Sequence, residues 1–310
     1  MRIIREKDFH MDNRTVVTFG KFDGIHKGHQ KLLNEAKRLS KTGGMPLVAF
    51  TFRVRDGFSY DYMDTEVINT FEERERIFER LGVDILIEYP FDDEMAGLEP
   101  IPFLEMMVKD KLNAAYVVVG DDWSFGHMGQ GNAELLKASQ KLFDFEAVVL
   151  EKEMYEGRAI ASTFIREEIR QGRMETVNIL LNYPYSIAGR VLHGKALGRT
   201  IDVPTVNIIP GEGKILPPYG VYSARVRVGN REFYGVSNVG VRPTVDDGNA
   251  VSVETNIFDF DEDIYDETIE VELMHFQRPE MKFESVDTLK TQLFRDIEYA
   301  KTFFCLISQN

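Results

Sequence analysis

The stretch VVTFGKFDGIHKGHQKLL, Val16 to Leu33, decides how the first half of the chain is read. An apolar, β-rich run, TVVTFG, ends at Gly20; the turn KFDG follows; from about Gly24 a polar-apolar alternation reads as a helix. His26 and His29 then lie three residues apart on one face of that helix's first turn. Free backbone N–H groups and the positive end of the helix dipole favour phosphate there, and Gly28 lets an anion approach the chain closely. Two surface histidines three apart also arise by chance, and a zinc site needs a third ligand that the scattered His10, His127, His193 and His275 do not supply. The longer string G-x-F-D-G-x-H-x-G-H is far more specific.

Outward from that stretch, β-rich runs alternate with amphipathic segments: VVTFG, PLVAFTF, VDILIEY, AAYVVVG and FEAVVL are separated by patterns such as NTFEERERIFERLG and IPFLEMMVKDKL. This alternation predicts βαβ units and a parallel sheet covered on both faces. A helical pair, STFIREEIRQGRMETVNILLN, precedes Pro184, after which the period changes. GVYSARVRVGNREFYGVSNVG alternates with period two around a Gly229-Asn230 turn, and AVSVETNIFDF and TIEVELMHF continue as antiparallel strands of a small barrel or sandwich. A final helix with Val286, Leu289, Leu293, Ile297 and Ala300 on one face is expected to pack on it. The expected domains are residues 1–184 and 185–310.

The 310 residues carry a formal net charge of −14, which argues against a nucleic-acid or anionic-membrane surface; any anionic ligand is gripped locally. The single cysteine, Cys305, excludes an intramolecular disulfide and a cysteine-built zinc site. No run reaches the length of a spanning helix, and the opening MRIIREKDFHMDNR is no signal peptide, so a cytoplasmic protein is expected. Self-association is compatible with the sequence.

With GKFDGIHKGH the chain resembles the H-x-G-H nucleotidylyltransferases, specifically the adenylyltransferase half of prokaryotic bifunctional riboflavin kinase/FMN adenylyltransferases. Further motifs fall in the family's order: GDDWSFG (Gly120 to Gly126) resembles its flavin-side loop, and STFIR (Ser162 to Arg166) its phosphate-binding segment. GRVLHGKALGRTIDVPTVNI, NVGVRPT, ETNIFDFDEDIYDETIEVEL and RPEMKFESVDTL resemble successive blocks of the kinase half. The resemblance implies a Rossmann-like nucleotidylyltransferase domain with a parallel sheet, followed by a small antiparallel β-barrel domain with a C-terminal helix. It implies riboflavin, FMN and FAD as substrates or products, ATP as co-substrate and Mg2+ as cofactor.

By the same resemblance, His26, His29 and Arg166 act on ATP phosphates in adenylyl transfer, and Gly20, Phe22, Asp23, Gly24, Gly28, Ser162 and Thr163 complete that ATP site. Asp122 and Phe125 lie on the flavin side. In the kinase half, Gly194, Lys195, Gly198 and Arg199 form the phosphate flap, Thr205 and Asn207 offer magnesium two oxygen ligands, and Glu254, facing the barrel mouth, is the base. Taken singly, Arg166 reads as a solvated charge, Phe125 as core, Asp122 as a turn former and Ser162 as a helix N-cap. Departures from the family pattern occur at Phe52, Arg53 and Val54, where a Pro-His-Pro-like turn is usual, at Ala161 and Phe164, at Asp202 and Val203, and at Asn256, where histidine is common. They leave open the readings that one activity has decayed or that the chain is a flavin or nucleotide sensor.

Overall fold

A computed structural model describes residues 1–54, 66–192, 204–242 and 250–308. The chain divides into two compact units, one of Met1–Thr65 with Phe71–Ser162, the other of Glu66–Thr70 with Thr163–Asn310.

In the first unit, β1 (Arg2–Ile4), β2 (Thr15–Phe19), β3 (Leu47–Val54), β4 (Ile85–Phe91), β5 (Ala114–Gly120) and β6 (Glu146–Leu150) form a parallel sheet ordered β1-β4-β3-β2-β5-β6. The run TVVTF is buried at all five positions, as a central parallel strand covered on both faces must be. Helix α1 (Lys27–Gly43) buries Leu32, Leu33 and Ala36 and stops at Gly44, whose left-handed φ of 62° lets its N–H cap the Ser40 carbonyl. Helices α2 (Phe71–Leu81), α3 (Asp93–Ala96) and α4 (Pro100–Phe103) follow; α4 continues as a π-helical stretch, Leu104–Lys111, and α5 (Ala133–Phe143) lies between β5 and β6. The expected βαβ alternation is therefore present. The three-residue β1 and the small hairpin of β7 (Met154–Tyr155) and β8 (Arg158–Ala159) are too short to show a period in the sequence.

The strand order reverses between β2 and β5. β2 leads to β3 on one side, while β5 joins its other edge. Loops leaving the C-terminal ends of two such strands diverge and open a crevice, the usual ligand position in open α/β sheets. The segment after Phe19 and the loop after Gly120 both begin there.

In the second unit, α6 (Ser162–Arg170) and α7 (Met174–Leu181) precede an antiparallel sheet of β9 (Ser186–Arg190), β10 (Val206–Ile208), β11 (Gly220–Val228), β12 (Arg231–Arg242), β13 (Ala250–Ile257) and β14 (Thr268–Pro279). Its order is β10-β13-β12-β11-β14-β9. Leu192, just past β9, donates its N–H to Asn207 of β10 at 2.9 Å, and a Cβ at Gly189 would stand 2.9 Å from Ile208 Cβ, so the two edges draw together into a barrel. β11 and β12 are joined through Gly229-Asn230, as expected.

Helix α8 (Val286–Ile307), opened by a Ser285/Thr288 capping box, packs Ala300 and Phe304 against Val221 and Val236. One expectation is corrected. Val286 is 62% exposed, and the buried face instead holds Asp296, whose carboxylate accepts two bonds from the Arg278 guanidinium of β14. A paired charge takes the place the apolar pattern had given to a more N-terminal residue.

Residues Glu66–Thr70 are built into this unit. Val67 N–H donates to Gly213 O at 2.7 Å, Ile215 N–H to Val67 O at 2.9 Å, and Lys214 Nζ to Ile68 O at 2.7 Å while lying 4.4 Å from the Tyr185 ring centroid. Asn178 of α7 accepts the Tyr185 N–H at 2.7 Å. A fragment of residues 185–310 lacks both Ile68 and Asn178, and Lys214 is only 6% exposed. Hydrogen exchange on β11 and β12 is expected to show the fragment less stable than the same strands in the whole chain by about 1–3 kcal/mol for a lost buried partner. Equal protection would show that these bonds contribute nothing to barrel stability.

Candidate active sites

The turn after β2 is tightly determined. Phe22 and Ile25 are fully buried with φ of 49° and 35°, and Gly24 has φ of 85°. Side chains held in left-handed backbone cost free energy and persist where packing enforces them, often at binding sites. The helix starts later than the polar-apolar alternation suggests, at Lys27. His26 is its N-cap, its Nδ1 accepting the His29 N–H at 3.4 Å. The His26 and His29 rings stack with centroids 3.9 Å apart, and His29 also meets Phe22 at 5.1 Å. Gly28 leaves room for this stack, since a Cβ there would come within 3.2 Å of the His26 ring. Ser162 Oγ donates to the Asp23 carbonyl at 2.8 Å, tying residues 139 apart in sequence.

Burial sets the charge state of this pair. Desolvation lowers the His26 pKa to about 4 against a weaker opposing influence from Asp122, and desolvation, then the neighbouring His26, hold His29 well below the ordinary histidine value. His29 is half-buried as a residue, but its Nδ1 is wholly buried and without a hydrogen-bond partner. At neutral pH the first turn thus presents two uncharged imidazoles, one with an unsatisfied polar atom. An arriving polyanion offsets that desolvation and favours the protonated form.

At the neighbouring strand end, Asp122 is exposed and pairs with Lys152 at 2.9 Å. Phe125 is 5% exposed beneath Trp123, whose ring stacks on it at 4.6 Å and meets Phe19 at 5.2 Å. The half-buried Trp123 therefore presents the aromatic face here, and Phe125 supports it. Sequence reasoning passed over Trp123, although its place in GDDWSFG was the available signal. Near the end of β3, Phe52 packs edge-on to Phe91, and Arg53 bonds to the buried Glu88 at 3.2 Å while lying over Phe71.

In the second unit Glu254 is solvent-exposed. Val253 and Thr255 are the fully buried residues of β13, so Glu254 is exposed on the outer face of the sheet. Cross-strand register sets Asn207, Glu254 and Asn238 side by side on β10, β13 and β12. Thr205 Oγ1 donates to Glu254 Oε1 at 2.6 Å. Asn256 Nδ2 donates to Pro204 O at 2.7 Å, and Asn238 Nδ2 to Glu280 Oε1 at 3.2 Å. The hard oxygens of Thr205, Asn207 and Glu254 suit a small divalent cation.

Thr163 and Arg166 lie on α6 in the second unit; Thr163 is exposed and Arg166, 7% exposed, donates Nε–H to Glu66 O at 3.1 Å. Phe164 is buried beside them. Gly194, Lys195, Gly198, Arg199, Asp202 and Val203 lie outside the described residues. Among the described residues, no group of three or more His, Cys, Asp or Glu is placed to hold a metal, and no helix is long and apolar enough to cross a membrane.

The buried histidines make stability depend on pH. The unfolded chain binds a proton at His26 near pH 6.5 and the folded chain only near 4, so stability is present above 6.5 and lost as the pH falls through that window. Between pH 7 and pH 4.5 this loss is roughly 2–3 kcal/mol. Denaturant titrations are expected to show a shallower pH slope for His26→Gln than for the unaltered chain. Parallel slopes would mean that His26 titrates normally.

Residues 8–164 match the FAD synthetase family and residues 181–304 the riboflavin kinase family. The bifunctional riboflavin kinase/FMN adenylyltransferase of Haemophilus influenzae is 35% identical, covering 98% of this chain and 99% of its own, and that of Listeria monocytogenes is 34% identical, covering 94% and 93%. A crystal structure described as a macrolide-efflux protein from Streptococcus pneumoniae has the same fold, with a TM-score of 0.86 at 34% identity over 97% of this chain and 99% of that one. With both family matches in sequence order and relatives of this identity along nearly its whole length, the chain belongs to the bifunctional riboflavin kinase/FMN adenylyltransferase family.

Proposed function

We propose that this chain makes FAD from riboflavin in two ATP-dependent steps, phosphorylation to FMN and adenylylation of FMN with release of pyrophosphate. The observation that carries the reading is that each family match coincides with its own cluster of polar side chains, His26 with His29 on α1 and Thr205 with Glu254 on the barrel. Residues 1–184 are assigned to adenylyl transfer and residues 185–310 to the kinase. The setting is the cytoplasm, where both substrates are small molecules.

In adenylyl transfer the FMN phosphate attacks the α-phosphorus of ATP and pyrophosphate leaves, so no protein nucleophile is needed. The work of the site is positioning and stabilisation of charge on the phosphates. His26, His29 and the α1 N-terminus are assigned to those phosphates, supported by the unsatisfied His29 Nδ1; Arg166 is assigned to them by its place in the family motif alone. Gly20, Phe22, Asp23, Gly24 and Gly28 shape the turn, Ser162 holds it, and Thr163 follows Ser162 in the same segment. Trp123, backed by Phe125, gives the flavin ring a face to stack on, with Asp122 beside it.

In the kinase step the riboflavin 5′-hydroxyl attacks the γ-phosphate. Glu254 is assigned to remove its proton. It is exposed, and its Oε1 accepts the Thr205 hydroxyl, which keeps the carboxylate oriented. Thr205 and Asn207 are the residues that would hold Mg2+, which when bound neutralises charge on the ATP phosphates. Gly194, Lys195, Gly198 and Arg199 are assigned to the phosphate flap by their place in the family motif.

Glu254→Gln is expected to abolish riboflavin phosphorylation and leave FMN adenylylation intact, as read by chromatography of the three flavins. Loss of both in a folded variant would sink the two-site assignment. His29→Ala should slow FAD formation by about 10²- to 10³-fold, the scale of one lost preorganised donor, with kinase activity unchanged. Trp123 is the chain's one tryptophan, so its fluorescence should be quenched as FMN is titrated in; an unaltered signal would place the flavin elsewhere.

A further inference from the structure

Asn256 lies beside the proposed kinase residues and is given no role by the motifs. It lies on β13 two residues beyond Glu254, on the same outward face. Its Nδ2 donates to the carbonyl of Pro204 at 2.7 Å. That carbonyl belongs to the residue just before Thr205, and Thr205 Oγ1 in turn donates to Glu254 Oε1 at 2.6 Å. Continuing the β10 and β13 register by one residue from Val206 and Thr255 sets Thr205 opposite Asn256.

Among the described residues the ladder holds β10 only from Val206 onward: its three residues pair with β13, and the Asn207 carbonyl accepts the Leu192 N–H on the other edge. Pro204 has no N–H to give, so its carbonyl is the one backbone group it can contribute to a hydrogen bond. The amide of Asn256 therefore closes a short circuit: Asn256 to Pro204, along the chain to Thr205, across to Glu254, and back along β13. A loose Thr205 would swing its hydroxyl away from Glu254 and from Asn207, two residues on and next to Glu254 in the register.

We propose that Asn256 is a positioning residue of the kinase site, holding Thr205 where its hydroxyl reaches Glu254, so that the oxygens facing the nucleotide-bound cation are preorganised. The inference rests on the kinase reading of this face. Preorganisation of a cation ligand acts on binding of the metal-nucleotide complex. The effect falls on KM for MgATP, while riboflavin binding and adenylyl transfer are spared. Asparagine here is one solution, and a histidine ring N–H provides an equivalent donor.

The test uses the full chain with Asn256→Leu, which keeps the size and removes the donor, and Asn256→His, which restores one. Asn256→Leu is expected to raise the kinase KM for MgATP about tenfold, the scale of one lost hydrogen bond, with kcat and the riboflavin KM within threefold of the unaltered chain. Asn256→His is expected to return KM to within threefold. Hydrogen exchange without nucleotide gives a second readout: the peptide spanning residues 204–208 should exchange about tenfold faster in Asn256→Leu alone. An unchanged MgATP KM, equal impairment of both variants, or faster exchange throughout the barrel overturns the proposal. If the unaltered chain phosphorylates no riboflavin, the kinase reading fails, while the exchange comparison still decides whether Asn256 tethers this corner.

Discussion

The burial of β2 on both faces is the constraint from which the first unit follows. A strand with every residue inside must have neighbours on both edges, and β3 and β5 supply them from opposite sides. The chain reverses its order of strand addition at that point, so the loops leaving β2 and β5 part and leave room for a ligand. Everything proposed for adenylyl transfer in this unit hangs from those two ends. The strained turn at Phe22 and Ile25 delivers the histidines to the first turn of α1, and the loop after Gly120 delivers Trp123 and Asp122. The same burial that fixes the turn desolvates the imidazoles and keeps them neutral until an anion arrives.

The second unit reaches phosphoryl chemistry by another route. Its barrel interior holds apolar side chains and mutually bonded hydroxyls such as Ser237 and Thr255 at 2.8 Å, and with Val253 and Thr255 buried, strand alternation leaves Glu254 exposed. Cross-strand pairing gathers Asn207 and Asn238 around the carboxylate. In the proposed assignment the helix-end site stabilises a phosphate nucleophile that arrives ready-made, and the sheet-face site carries a carboxylate for an alcohol nucleophile that has to lose a proton. The product of the second chemistry is the substrate of the first.

Much of this architecture was legible in the sequence. The period change after Pro184 marked where the antiparallel strands begin, although α6 and α7 before it cluster with the barrel, and the G-x-F-D-G-x-H-x-G-H string marked the turn at the centre of the parallel sheet. What the sequence concealed has physical causes. β1 and β10 are held by pairing partners more than forty residues away, and three residues are too few to display a period. The inward face of α8 includes Asp296 because Arg278, on another element, makes a carboxylate tolerable there. The direction of Glu254 depends on which side of the sheet closes into the barrel, and alternation alone gives the two faces without saying which is inside. Residues Glu66–Thr70 stand just before α2 of the first unit, yet they cluster with the second, Val67 exchanging backbone bonds with Gly213 and Ile215, partners far along the chain that no local pattern displays.

The central claim is that one polypeptide carries two separate ATP-dependent chemistries acting in sequence on a flavin. The most direct measurement is a time course of the purified chain with riboflavin, ATP and magnesium, resolving riboflavin, FMN and FAD. The account predicts that FMN appears first and FAD follows, with one pyrophosphate released for each FAD formed. Accumulation of FMN without FAD, or recovery of riboflavin unchanged while added FMN is converted, would contradict it.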